Sequence, residues 1–363
     1  MSEAERIESK RERVLAKCRY FKQVGVWSPL SEAPDPEQWL TNFSGLSEDD
    51  QSLALDLLDS FMYFGEDQIN QLFYAAVQFL SHIVTSEGQT LSHRREEWRR
   101  FLDAAIITSV TDDERPSVTD SGIAYARKAR RVLEIGESQI IAPDKVLAEL
   151  YRAPRDVIFV DDFVGTGTQF VTMWMRPQEV DGVGTSSWAD FAKAHKVRFF
   201  YCPALAHELG LKHIDRNCPV RVSPGNVIQS SHGALGPDSR LWPVDRAAAG
   251  IEFVRRVSLS AGIPDTDGAV PNDWRGFGKL GLALGLHNLG PPDATLALFR
   301  WEDHSAKSCS SCSLRPREDM RAHTRNFDCR RYSGAASRSN TTGSAAPDRT
   351  PPVERSSSEP FTR

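Results

Sequence analysis

Two adjacent carboxylates, Asp161 and Asp162, end the apolar run of residues 157–160 and open onto a glycine and threonine loop: VIFVDDFVGTG, residues 157–167. Paired carboxylates accept hydrogen bonds from vicinal sugar hydroxyls, and their combined charge stabilises an adjacent cationic centre. The glycines let the backbone come close to a phosphate, the threonines add hydroxyl donors, and the amides opening the next helix add a favourable dipole end. Acids and loop together describe a site for ribose 5-phosphate.

Other chemistries also use an apolar strand ending in acids, and each requires a partner elsewhere in the chain. A nucleotide-hydrolysing P-loop needs G-x-x-x-x-G-K-[ST]; GFGKLG at 276–281 has neither the spacing nor the hydroxyl residue. A dinucleotide fold needs G-x-G-x-x-G after an early strand, whereas here the acids precede G-x-G and Phe170 fills the third glycine position. A plain structural reading, two rim acids and a turn, stays open at this point.

Such a loop must be held by a sheet. From about residue 100, short apolar runs alternate with loops and helices, the pattern of a parallel α/β sheet. Strands are expected near 104–110, 156–161, 197–202 and 218–222, and helices near 121–133, 169–176, 186–195 and 204–212. Residues 1–90 read as a helical segment. Ser47 and Asp50 mark a helix start, followed at helical spacing by Leu53, Leu57, Leu58, Phe61 and Phe64 and broken at Gly65. A second stripe carries Ile69, Leu72, Phe73, Ala76, Leu80 and Ile83. The α/β domain is expected over 91–303. Residues 304–363 hold four Leu, Ile, Val or Phe in all and are expected to form a low-complexity, disordered tail.

With 363 residues, 40% of them hydrophobic, the chain can bury a sizeable core. No segment approaches ~20 uninterrupted apolar residues and the charged start lacks a secretory h-region, so a cytoplasmic, non-membrane protein is expected. The net charge of −5 is uneven: the tail carries eleven Lys or Arg against six Asp or Glu, leaving the body near −10 and without a nucleic-acid footprint. Cys18, Cys202 and Cys218 are scattered and show no disulfide framework.

The stretch around Asp161 resembles the PRPP-binding signature of type I phosphoribosyltransferases: hydrophobic strand, Asp-Asp, a hydrophobic pair and a Thr/Gly-rich turn. DDFVGTGTQ, TDSG at 119–122, WLTNF at 39–43 and HNLGPPDATLALFRW at 287–301 resemble more particularly the phosphoribosyltransferase-like (PRTase-CE) domain of bacterial conflict and defence systems. The resemblance implies a parallel-sheet, Rossmann-like core. It implies that Asp161 and Asp162 hold the ribose hydroxyls as catalytic acids, and that Val164, Gly165, Thr166, Gly167, Thr168 and Gln169 form the 5-phosphate loop. Asp120, Ser121 and Gly122 would form the pyrophosphate loop, with Arg127 and Lys128 on the helix behind them. Mg2+ would be the cofactor, held without a direct protein cage, and a defence-system protein the partner. The resemblance further implies displacement of pyrophosphate from ribose C1 to an acceptor, or a non-catalytic PRPP- or nucleotide-sensing regulator. Two positions depart from the family pattern: Gln169 replaces the usual Thr or Ser, and Gly165 a frequent Thr. Residues 134–150 fall where the family carries its mobile hood, and His287 and Asn288 where a base pocket is expected.

Two further motifs yield less. AHELGLKH at 206–213 is not a zinc-protease motif, because Leu211 stands where the second histidine is required. Cys309, Cys312, His323 and Cys329 supply four potential zinc ligands in surroundings too polar to build a core around them.

Overall fold

Capping side chains and apolar spacing set where the helices begin, and strand pairing decides where several of them stop. The computed structural model describes residues 2–27, 35–111, 121–287 and 291–299, all within one compact unit. The chain opens with α1 (Glu3–Gln23), α2 (Pro36–Thr41) and α3 (Glu48–Asp59), then β1 (Met62–Phe64), α4 (Glu66–Phe79), α5 (Ser81–Val84) and α6 (Leu91–Ala104). The body runs β2 (Ile106–Ser109), α7 (Ser121–Val132), α8 (Pro143–Arg152), β3 (Val157–Val164) and α9 (Thr168–Met175). There follow a hairpin of β4 (Gln178–Val180) and β5 (Gly184–Ser186), then α10 (Trp188–Ala194), β6 (Phe199–His207), α11 (Glu208–Asn217), β7 (Arg221–Val222) and β8 (Asn226–Ile228). α12 (Ala247–Ser260) and β9 (Leu284–Leu286) complete the order.

The central sheet is parallel throughout, in the order β2-β3-β6-β7, with β8 pairing the far end of β6. β2, β6 and the first five residues of β3 are buried on both faces, as parallel strands covered by helices must be. Side chains alternate between the faces along each strand. Ile158 and Val160 of β3 pack with Ile107, Phe200 and Cys202 beneath Phe73 of α4 and Tyr125 and Ala129 of α7. Val157 and Phe159 face the other way, among Val146 and Leu150 of α8, Phe170 and Trp174 of α9, and Trp188 and Phe191 of α10. Phe159 meets the rings of Phe170, Trp174 and Trp188 edge-on, at centroid separations of 5.2, 6.5 and 4.9 Å.

A separate core joins α1, α2, α3 and α12, with Val14, Leu53, Leu57 and Phe253 among its buried side chains. Lys10 of α1 bonds Asp56 of α3 at 2.6 Å, and Arg246 reaches the same carboxylate at 3.5 Å. A charge pair this poorly exposed is matched by opposite charge and hydrogen bonds, as burial requires.

Ser47 caps α3 as expected, its hydroxyl accepting from the Asp50 amide. The expected length of that helix is wrong, however. It ends at Asp59, and Met62 to Phe64 form β1, parallel to β9, with Phe64 opposite Leu286. Strand pairing with a partner more than 200 residues away overrides the local helical spacing. The helix expected over 204–212 begins at Glu208, because β6 continues through His207 to pair with Ile228. Residues 134–150 hold a short 3-10 turn at Glu137–Gln139 and the start of α8. The expected tail, with Cys309, Cys312, His323 and Cys329, lies outside the described residues. Among the described residues no helix is long and apolar enough to cross a membrane.

Candidate functional site

β3 delivers Asp161 and Asp162 to the carboxyl end of the sheet, the edge at which open α/β folds bind ligands. Asp161 is 4% exposed and accepts from the Tyr201 hydroxyl at 2.8 Å and from the Asp162 amide at 2.9 Å. Burial pushes its carboxyl well above the usual range; the negative charge of Asp162 and a hydrogen bond between the two carboxyls add to this, and the Tyr201 bond opposes it. A buried carboxyl beside a second carboxyl resists ionisation, so Asp161 favours its protonated form. Burial also raises the Tyr201 phenol, followed by the charge of Asp161. Tyr201 is therefore a fixed neutral donor. Asp162 is half-buried and forms the accessible side of the pair.

The loop after the acids is built on close backbone approach. Gly167 is the N-cap of α9 with φ 76°, and a Cβ there would stand 2.7 Å from the Gly210 carbonyl oxygen. A Cβ on Gly210, in the first turn of α11, would meet the Gly165 oxygen at 2.3 Å. Thr166 closes the turn on itself: its hydroxyl donates to Thr168 Oγ1 at 3.0 Å and accepts from the Thr168 amide at 3.3 Å. Gly278, with φ 66°, presses on Thr166 so closely that a Cβ would fall 2.2 Å from its Cγ2. Val164 is buried and Gln169 is exposed. The glycine-rich run at 276–281 thus buttresses the loop.

α7 forms the wall facing Asp162. Ser121 and Gly122 lie in its first turn, while Asp120 lies outside the described residues. Tyr125 is 2% exposed, and its phenol is raised by burial and then by the charges of Asp162 and Asp161. One turn on, the Lys128 ammonium sits 5.1 Å from the Tyr125 ring centroid. Burial lowers Lys128, while Glu66 and Asp162 act to raise it. Arg127 is exposed. Of that basic pair, Lys128 is the one turned toward the acids.

His287 follows β9, with Nε2 3.7 Å from Glu66 and Nδ1 3.4 Å from the Tyr63 hydroxyl. Asn288 lies outside the described residues. Spacing alone did not single out Tyr125, Tyr201, Glu66 or Gly210. Gly210 carried a signal nonetheless, as a glycine in the first turn of an otherwise strong helix.

His207 shows why AHELGLKH is no metal motif. It caps α11 by accepting from the Leu209 amide at 3.2 Å, and its Nε2 is buried without a hydrogen-bond partner among the described residues. Burial lowers its pKa, Glu208 opposes that, and Lys212 and His232 add to it. The folded state thus holds His207 neutral below the pH at which the unfolded chain, near 6.5, takes up a proton. The unfolded state then binds more protons, so the stability His207 contributes is present above about pH 6.5 and is lost as pH falls. Urea midpoints should drop between pH 7.5 and 5.5, and His207→Gln should flatten that slope; an unchanged slope would refute this assignment.

The fold and the acid-loop geometry can be set beside known proteins. No curated protein matches the chain. Among solved structures, the orotate phosphoribosyltransferase from Aeropyrum pernix aligns at 13% identity over 42% of this chain and 93% of that chain, with a TM-score of 0.21. The family model PRTase-CE matches residues 36–308, about three quarters of the sequence, and takes in the acid pair, the glycine and threonine loop, α7 and the buttressing segment. The chain therefore belongs to the PRTase-CE family and is a phosphoribosyltransferase-like α/β protein.

Proposed function

We propose that this protein binds PRPP, or a related ribose 5-phosphate ligand, at the carboxyl ends of β3 and β6, and transfers the phosphoribosyl group. The observation that carries the proposal is the half-buried Asp162, backed by Asp161 on Tyr201, next to the turn that opens α9. In that reading Asp162 accepts from the ribose hydroxyls. The backbone of Gly165, Thr166, Gly167 and Thr168 takes the 5-phosphate, once Thr166 yields the Thr168 amide. Ser121 and Gly122 at the start of α7 fall to the pyrophosphate.

The C1–oxygen bond to pyrophosphate breaks with its electron pair leaving on that oxygen, and an acceptor lone pair forms the new bond to C1. Positioning and charge placement carry such a step, and the acid pair favours the positive charge developing at the ribose. The two carboxylates are hard oxygen donors that suit Mg2+, an ion that keeps several waters and shares substrate oxygens. Bound Mg2+ would neutralise charge on the pyrophosphate.

Titration of PRPP with Mg2+ should give saturable binding that Asp162→Asn weakens about 100-fold, equivalent to ~2.7 kcal/mol. Wild-type affinity in that variant would remove the site from consideration. A second reading, a PRPP- or nucleotide-sensing regulator without turnover, draws on Gln169 at a position where a hydroxyl is usual and on the turn closed by Thr166. Release of pyrophosphate by the purified protein separates the two. A cytoplasmic setting in bacterial defence, with a partner protein from the same system, belongs to the same proposal and rests on the resemblance of DDFVGTGTQ, TDSG and WLTNF to that domain.

A further inference from the structure

Tyr125 is the buried polar group next to the acid pair that neither the fold nor the proposed mechanism uses. Its ring is fixed on both sides, edge-on against Phe73 of α4 at 5.7 Å and under the Lys128 ammonium at 5.1 Å. Its hydroxyl is buried and has no hydrogen-bond partner among the described residues. Native structures satisfy nearly all such groups, since an unmade bond carries the full desolvation cost of the hydroxyl. The ring contacts need no hydroxyl, and phenylalanine would supply them equally. Tyr125 packs on the sheet face to which Ile158 and Val160 of β3 point, and the same alternation turns Asp162 to that face. Burial, and then the charges of Asp162 and Asp161, keep the Tyr125 phenol protonated.

We propose that Tyr125 is a ligand-binding residue whose hydroxyl donates to one of the two vicinal ribose hydroxyl oxygens, the same diol that Asp162 engages as an acceptor. This inference rests on the ribose 5-phosphate reading of the site and deepens it. A carboxylate only accepts, so it orients a hydroxyl through its hydrogen; a phenol opposite it engages the oxygen lone pair of the same group. Donor and acceptor on one hydroxyl select against a ligand that lacks it, because both protein groups are then left unpaired. Tyr125 thereby sets preference for the ribose diol over its deoxy analogues.

The test compares ribose 5-phosphate, 2-deoxyribose 5-phosphate and 3-deoxyribose 5-phosphate by titration calorimetry, using the full chain as wild type, Tyr125→Phe and Asp162→Asn. Wild type is expected to bind ribose 5-phosphate most tightly, and Tyr125→Phe to lose about tenfold. Against the deoxy sugar that lacks the engaged hydroxyl, Tyr125→Phe should bind as wild type does, since the two deletions remove one interaction. Its melting temperature should be unchanged or higher, as no bond of the free protein is lost. If Tyr125→Phe binds all three sugars as wild type does while Asp162→Asn loses them, the inference is overturned and the function stands. If folded wild type binds neither these sugars nor PRPP with Mg2+, the function falls and the inference with it. Should Tyr125→Phe not fold, Tyr125→Met decides on the same ratio of ribose to deoxy affinity.

Discussion

Asp161→Asn should make the unliganded protein more stable at pH 8 while abolishing tight binding of a ribose phosphate. The wild-type carboxyl is buried and its pKa raised, chiefly by desolvation and then by Asp162. A carboxyl with a raised folded pKa contributes stability that is present below its unfolded value, near 3.9, and is lost as pH rises through the folded one. At pH 8 the wild-type carboxyl either carries a buried charge or keeps a proton that the unfolded chain has released, and either way it costs stability that the variant does not lose. The Asn amide still bonds Tyr201 and the Asp162 amide, or donates to the Asp162 carboxylate, so the local geometry survives. A rise in Tm of about 1–2 °C, equivalent to ~1 kcal/mol in a chain this long, is expected at pH 8 and little difference at pH 4.

Ligand binding moves in the opposite direction. A diol and a metal-bound phosphate favour the fully ionised pair, so binding to wild type should release a proton and tighten as pH rises. Calorimetry in two buffers of different ionisation enthalpy reads that proton directly. The Asn variant should release none and bind about 100-fold more weakly. Equal stability of the two proteins at pH 8, together with no proton release, would show that Asp161 is not the strained member of the pair.

The second large effect is expected at Gly210, which touches no ligand. Its Cα side faces the turn so closely that a methyl group would sit 2.3 Å from the Gly165 oxygen, 2.8 Å from Val164 Cγ1 and 3.1 Å from the Gly167 amide nitrogen. Two of those three atoms belong to backbone and cannot rotate away. Gly210→Ala must push the start of α11 off the turn, at a cost of about 2–4 kcal/mol in stability. The binding loss should exceed the stability loss, since the displaced atoms are the ones proposed to cradle the 5-phosphate. Gly167→Ala should act similarly, as φ 76° is left-handed backbone that a side chain strains by roughly 1–2 kcal/mol before any contact is made. Denaturant melts and ribose 5-phosphate titrations of both variants check this; wild-type affinity in Gly210→Ala would mean that the turn is not the phosphate cradle.

The acid pair, the turn behind it and the alternation of strand and helix were all legible in the sequence. Each is a local pattern: an apolar run of strand length, adjacent acids, glycines where backbone must bend. Four of the expected strands appear within a few residues of their predicted positions, because continuous apolar runs are what a sheet covered on both faces requires. Local spacing failed where a distant partner decided the outcome. Phe64 fits a helical stripe yet pairs with Leu286, and His207 fits a helix start yet ends a strand against Ile228.

The environment of the acids was likewise a tertiary matter. Sequence makes Asp161 and Asp162 equivalent neighbours. Folding separates them, since β6 places Tyr201 against Asp161 and buries it, while α7 brings Tyr125 and Lys128 toward Asp162. Which acid stays exposed, which carries the proton and what donor stands opposite depend on side chains roughly 35 to 40 positions away in either direction. Their proximity is set by strand order and helix packing, and no short-range pattern encodes it. The sequence determined the type of chemistry at this sheet edge; the tertiary structure alone divided it between two carboxylates.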